Sequence, residues 1–378
     1  MDPAAQQSWD HRDFARASLP ATREIDNAKL RLDTHVQEMM KWHFSDETGC
    51  PYWLDMRSSL GFDPIKDVRS FDDLVARFPN FDAGVLKFNA IDHLIPRGFG
   101  GQPYSVYLTG GTTSGAPSRR PGWTDFQVDY AEFSKTVDDK HFPMGGKWLY
   151  AGPSGPRRLP DAIRYLAQLR GGIAQGIDCD PVGVKGMIHA GFPDAAQWYA
   201  DKHVVGQIIR NLDTKQFSCL FTSPPLLEQV VKHRNLYDCG IRGVFFGGTE
   251  ISPEWMHIMM NEVGPHVGLY PTYGNTLMGL AKHAPVTPEN EYAVIYYAPQ
   301  PRAVIRLVDP KDSSKLVPYG GWGQVQLTTM TKEFFAPCYL ERDEARRREP
   351  CAQYPWDGVE FVRPLGTSEG KKTVTGVY

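Results

Sequence analysis

Cysteine is scarce in this chain. Six occur in 378 residues, at positions 50, 179, 219, 239, 338 and 351, and none forms a Cys-x-x-Cys pair. That spacing excludes a zinc knuckle, and in a chain this long it points to reduced thiols rather than a disulfide frame. No stretch reaches the roughly 18 consecutive apolar residues of a membrane-crossing helix. The first ten residues carry neither the basic region nor the apolar segment of a signal peptide. These absences point to a cytoplasmic chain with no membrane partner. An excess of one charge is also missing: 41 Lys and Arg stand against 44 Asp and Glu, for a net charge of −3. Nucleic acid is thereby excluded as the main partner, because phosphate neutralisation needs clustered basic residues. The run Arg346-Arg347-Arg348 is flanked by Glu344 and Glu349 and reads as a solvated helix face. There is no Gly-x-Ser-x-Gly elbow for a serine hydrolase. His189, His203 and His283 share no metal-ligand spacing with each other or with the cysteines. Internal repeats and low-complexity segments are absent.

Apolar residues make up 41% of the chain and charged residues 22%, enough to fill a core. The length calls for two packed subdomains or one large α/β domain. Apolar positions at helical spacing (Ile25, Leu30, Leu32, Val36, Met39, Met40) predict an amphipathic helix over 22–46. Ser70 before two aspartates reads as a helix cap. Beyond it, short β-prone runs alternate with helices: strands at 104–108, 147–151, 218–222, 242–246 and 267–270, helices at 123–137, 204–212, after Ser223 and at 253–263. Such alternation predicts α/β architecture with mainly parallel sheets covered by helices. From Ala293 the runs 294–297, 303–308 and 324–329 are β-rich and joined by Gly and Pro, so a smaller β-rich, more antiparallel subdomain is expected. The expected division is residues 1–290 as the α/β core and 291–378 as the β-rich subdomain and tail, the last 30 residues being turn-rich.

Four segments carry the chemistry. In the first, the strand ending at Leu108 runs into Thr109-Gly110-Gly111-Thr112-Thr113-Ser114-Gly115. Glycines there let backbone N–H groups approach an anion, and the hydroxyls add donors. It is not a Walker loop, since no Gly-Lys-Ser/Thr follows. The second is Phe246-Gly247-Gly248-Thr249-Glu250-Ile251-Ser252-Pro253-Glu254, a strand ending in bare glycine backbone before a capped helix, where open α/β sheets bind ligands. The third is Tyr273-Gly274-Asn275-Thr276, by itself a turn. The fourth is Gly323 to Glu333, including Leu327-Thr328-Thr329-Met330-Thr331-Lys332-Glu333, followed by Tyr339-Leu340-Glu341-Arg342-Asp343. A carboxylate such as Asp343 can accept two hydrogen bonds from a vicinal diol.

In this order, the four segments resemble the adenylate-forming (ANL) superfamily, in its phenylacetate–CoA ligase-like branch. The stretches Pro51-Tyr52-Trp53 and Leu60-Gly61-Phe62-Asp63-Pro64 echo the same branch, so the resemblance covers most of the chain. It implies the large-domain fold of that superfamily. It also implies ATP-dependent activation of a small-molecule carboxylic acid, aryl or arylacetic, as an acyl-adenylate. The acyl group would then pass to CoA, to the thiol of an acyl carrier protein, or to another nucleophile such as an amine. By the same resemblance, residues 109–115 hold the phosphates. Gly248, Thr249, Glu250, Tyr273 and Gly274 frame the adenine. Thr276 touches the α-phosphate and Asp343 holds the ribose. Tyr150, Phe246 and Leu277 fall on segments lining the acyl pocket.

The departures are informative. The loop lacks the family's lysine, and Arg119 or Arg120 stands near enough to replace its charge. ATP with Mg2+, and CoA, are the implied cofactors. Leu277 occupies the position of the family's magnesium glutamate, so no metal-ligating residue is assigned. Only 35 residues follow Asp343, so the family's mobile C-terminal domain with its catalytic lysine is expected to be absent. Lys371, Lys372 or a separate lid-domain protein would then supply that charge. The alternative readings are a non-catalytic nucleotide- or acyl-binding homologue, and an adenylating enzyme that forms an amide or N–N bond in a biosynthetic pathway.

Overall fold

The computed structural model describes residues 20–109 and 118–366. Two strands, β1 (Ser105–Thr109) and β2 (Ser118–Gly122), pair antiparallel with Thr109 opposite Ser118. The next strands are β3 (Lys147–Gly152), β4 (Ile173–Asp178), β5 (Cys219–Thr222), β6 (Gly243–Gly247) and β7 (Gly268–Asn275). They lie parallel in the order β4-β3-β5-β6-β7. Each is reached through helix, as the alternating sequence pattern requires. Strands β5 and β6 are buried along their whole length, which suits continuous apolar runs in a sheet covered on both faces. Proline opens the helices Pro224–Val231 and Pro253–Glu262, where its missing N–H has no intrahelical partner to lose. Ser252 caps the second, its Oγ accepting from the Trp255 N–H at 3.2 Å.

The sheet changes direction at β8 (Gly279–His283), which folds back antiparallel on β7. It continues through β9 (Ile295–Tyr297), β10 (Ala303–Asp309), β11 (Asp312–Leu316), β12 (Trp322–Met330), β13 (Phe335–Arg348) and β14 (Gly358–Pro364). All of these pairings are antiparallel, and the complete order is β4-β3-β5-β6-β7-β8-β9-β14-β13-β12-β10-β11. The observed architecture is the expected one: α/β, parallel strands covered by helices, with a β-rich part toward the C-terminus.

The main core lies between β3, β5, β6 and the helices over them, with Leu149, Leu220, Val244 and Phe246 fully buried. Burying each such side chain contributes about 1.5–3 kcal/mol. A second core gathers under the N-terminal helix Thr22–Phe44. Its Val36, Met40 and Phe44 pack with Trp53, Phe78 and Phe335. Ile25 and Leu30, counted in the stripe from sequence, face solvent instead, and Ala28 and His43 complete the buried face. Ser70 caps the helix Phe71–Arg77, as read.

Two readings are corrected. Arg346-Arg347-Arg348 is not a helix face: the three close the 14-residue strand β13. Arg346 bonds Glu360 at 2.5 Å, and Arg347 bonds Asp357 at 2.6 Å. Nor are residues 349–366 merely turns, since β14 pairs with both β13 and β9.

A buried polar knot ties the β1–β2 pair to the body. The Glu333 carboxylate, between β12 and β13, accepts the N–H groups of Trp123, Thr124 and Asp125 at 2.9, 2.6 and 2.7 Å. These are free donors at the start of the helix Asp125–Ser134. Asp125 in turn pairs with Arg120 at 2.5 Å and Arg158 at 3.2 Å. It also accepts from the Thr331 hydroxyl at 3.0 Å. The two guanidinium groups hold its carboxyl far below the usual range despite burial.

Candidate active site

β6 ends at Gly247, and Gly248 turns the chain with φ +94°. A side chain at Gly247 would collide with the Thr272 backbone on β7. Glycine is therefore required for β6 and β7 to run this close past the sheet edge. β7 itself continues beyond β6 and carries Tyr273, Gly274 and Asn275 within the strand, so the turn read at Tyr-Gly begins only at Thr276.

Between these ends lies a cavity of about 570 Å³. One wall is Gly248, Thr249 and Glu250, and a second is Tyr273, Gly274 and Asn275. The third comes from β13, with Glu341, Arg342 and Asp343. Thr109 and Ser118, the two residues bracketing 110–117, border it together with Lys87.

Strand alternation sets two cross-connections. Tyr273 and Asn275 lie two apart on β7, Glu341 and Asp343 two apart on β13, so each pair shares a face. The Tyr273 hydroxyl donates to Asp343 Oδ2 at 3.1 Å, and Asn275 Nδ2 donates to Glu341 Oε1 at 2.7 Å. Asn275 Oδ1 also accepts from the backbone of Leu277 and Met278 at 2.9 and 2.8 Å, fixing the turn after β7. Arg158 Nη1 donates to the Thr276 carbonyl at 3.1 Å.

The site is electrostatically tense. Burial, then the neighbouring Asp343 charge, pushes the Glu341 carboxyl up to about 7. Burial also raises Asp343, opposed by the hydrogen bond from Tyr273. Glu250 is raised by burial and opposed by Arg363. The Tyr273 phenol goes well above its ordinary value, through burial first and Asp343 second. Each of these carboxylates has a donor or a cation beside it, yet burial still holds it above its ordinary range, which favours a ligand that brings further hydroxyls or amines.

The cavity thus gathers Thr109, Gly248, Thr249, Glu250, Tyr273, Gly274, Leu277 and Asp343. Thr276 stands beside it in the turn, half-buried. Gly110, Gly111, Thr112, Thr113, Ser114 and Gly115 lie outside the described residues, as do Lys371 and Lys372. The remaining residues singled out from sequence do not line the cavity. Arg120 is fully buried in its pair with Asp125 and stacks over Phe334 at 4.9 Å. Arg119 Nη2 donates to the carbonyls of Lys87 and Asn89, both at 3.2 Å. Tyr150 is packed on Phe221 with its hydroxyl on the Pro153 carbonyl, and Phe246 is fully buried in the main core.

Sequence reading missed Asn275, Glu341 and Lys87. The first two were accessible in principle: each sits two positions from a chosen residue, on the same strand face. Lys87 carried no local signal. Among the described residues no group of three His, Cys, Asp or Glu side chains is placed to hold a metal ion. Nor, among them, is any helix long and apolar enough to cross a membrane.

No protein-family model matches the sequence, and no curated protein matches it. Solved structures do. A 2-hydroxyisobutyryl-CoA ligase in the postadenylation state, bound to an acyl-AMP, superimposes with a TM-score of 0.63 at 14% identity, over 96% of this chain and 72% of that one. The same ligase in its thioesterification state, with acyl-AMP and CoA, gives 0.61 at 16% identity over the same shares. Its open conformation gives 0.60 at 15% identity, over 91% and 76%. This chain has the α/β fold of that CoA ligase.

Proposed function

We propose that the protein activates a carboxylic acid with ATP, forming an acyl-adenylate that a second nucleophile then consumes. The observation that carries this reading is the convergence of three segments, 248–250, 273–275 and 341–343, on one cavity that Thr109 and Ser118 also border. Its volume is within the range of small-molecule sites. The solved ligases of like fold hold an acyl-AMP.

In this reading the Tyr273 ring and the backbone of Gly248–Glu250 frame the adenine. Asp343 accepts from the ribose hydroxyls, giving up part of its bond to Tyr273. The substrate carboxylate oxygen attacks the α-phosphorus, the bond to the pyrophosphate oxygen breaks, and pyrophosphate leaves with the electron pair. The protein contributes positioning and charge compensation, as phosphoryl-type transfers demand. Leu277 is apolar and 4% exposed at the position where the resemblance has a magnesium ligand. The described residues therefore do not fit a protein-held magnesium site. The acid is an aryl or arylacetic one, and the acceptor is CoA, a carrier-protein thiol or an amine.

The test is ATP–pyrophosphate exchange across a panel of phenylacetate, benzoates and heteroaryl acids. Exchange with at least one acid, strongly reduced in Asp343→Ala and Thr112→Val, supports the proposal. The burial of Leu277 and the engagement of Arg119 and Arg120 elsewhere favour one rival, a nucleotide-binding protein without catalysis. Measurable ATP binding with no exchange across the panel would establish that rival.

A further inference from the structure

A cavity that takes a nucleoside triphosphate must offset several negative charges on the phosphates. Among the described residues this one is lined by three carboxylates, Glu250, Glu341 and Asp343, and by three cations, Lys87, Arg342 and Arg363. Two of the cations are engaged. Arg363 Nε bonds Glu344 at 2.8 Å, and its guanidinium stacks over Trp322 at 3.8 Å. Arg342 also has a partner. The Lys87 ammonium, by contrast, takes part in no ion pair or hydrogen bond among the described residues.

Its placement is built. Lys87 belongs to the short helix Val85–Phe88, whose Val85 and Leu86 are buried in the second core. Its carbonyl is held by Arg119 of β2, one residue after Ser118. The same Arg119 grips Asn89, so the stretch 87–89 is fastened to the strand that borders the cavity. Lys87 enters with Thr109 and Ser118, whereas the carboxylates come from the end of β6 and from β13. Arg119, one of two arginines read as a substitute for the missing loop lysine, thus serves as an anchor and leaves the cationic part to a neighbour.

We propose that Lys87 meets the β- and γ-phosphates of ATP and carries the charge of the departing pyrophosphate. This rests on the adenylating reading and assigns one residue within it. An ammonium is a compact point charge with three donors, suited to non-bridging phosphate oxygens. It forms no covalent bond, and it acts where charge accumulates as the bond to the α-phosphorus breaks.

Calorimetric titration of ATP and AMP into wild type, Lys87→Met, Lys87→Arg and Asp343→Ala tests it. Methionine keeps the apolar stem of a half-exposed side chain, so the fold is expected to survive, and thermal unfolding checks this. Lys87→Met should weaken ATP by about 10- to 100-fold while AMP affinity stays near wild type, and Lys87→Arg should recover most of the loss. Asp343→Ala should weaken both nucleotides alike. If Lys87→Met binds ATP as tightly as wild type, or loses AMP as much as ATP, the assignment is overturned while the adenylating reading stands. A wild type that binds neither nucleotide overturns that reading, and the assignment with it.

Discussion

Glu341 offers a perturbation whose size follows from its surroundings. Its carboxyl sits on the cavity wall, bonded to Asn275 at 2.7 Å, and is pushed from an ordinary 4.5 up to about 7. At about 1.4 kcal/mol per unit of pKa, full expression of that shift corresponds to about 3 kcal/mol. The cavity admits water, and screening there reduces the effect to about 1–3 kcal/mol. The direction is fixed by linkage. The folded pKa lies above the unfolded one, so the protonated carboxyl favours the fold below the unfolded value. That contribution is lost as pH rises through the folded value near 7. Glu341→Gln keeps the oxygen that accepts from Asn275 and removes the titration. Urea unfolding of both proteins at several values between about pH 5 and about pH 8 should show a gap that widens with pH. The variant should be the more stable at the alkaline end, and the gap should level off once Glu341 is ionised. A difference that stays constant across this range would refute the reasoning, because the carboxyl would then be titrating as freely as an exposed one.

Two further outcomes follow from the packing. Asp125→Asn leaves fully buried Arg120 without its carboxylate. Nε and Nη1 of that arginine already lack partners among the described residues. The variant should lose about 3–5 kcal/mol in urea unfolding, and a loss of under about 1 kcal/mol would show that the knot does not hold β2 in place. Ser252→Ala removes the cap of the helix after β6 and should cost about 1 kcal/mol, read by thermal unfolding, with no change in the order of nucleotide affinities.

Much of the fold was legible because local rules and tertiary packing agree here. Ser252 and Pro253 announce a helix start that packing then uses. The apolar runs at 218–222 and 242–246 are strands because both faces of the sheet are covered. Legibility failed where a residue's partner is distant in sequence. Arg346 and Arg347 read as solvated because their carboxylates, Glu360 and Asp357, arrive from the facing β14 side of a hairpin. Arg120 looked available for phosphate although Asp125 lies five residues on, because only the fold of β2 into the next helix turns the two side chains together and brings Arg158 to the same carboxylate. Glu333, noted only as the end of a motif, proves to bind three backbone N–H groups more than 200 residues earlier in the chain. The walls of the site were readable as separate turns. What the sequence could not show is that β7 runs on through Tyr273 to Asn275, which sets Glu341 beside Asp343 as a second carboxylate.

The most direct test is a crystal structure of the protein with a non-hydrolysable acyl-adenylate analogue. The account expects the ribose on Asp343, the base between Tyr273 and the Gly248–Glu250 backbone, and the phosphate mimic toward Thr109 and Ser118. An analogue bound on another surface, with the cavity between β6, β7 and β13 left unfilled, would contradict it.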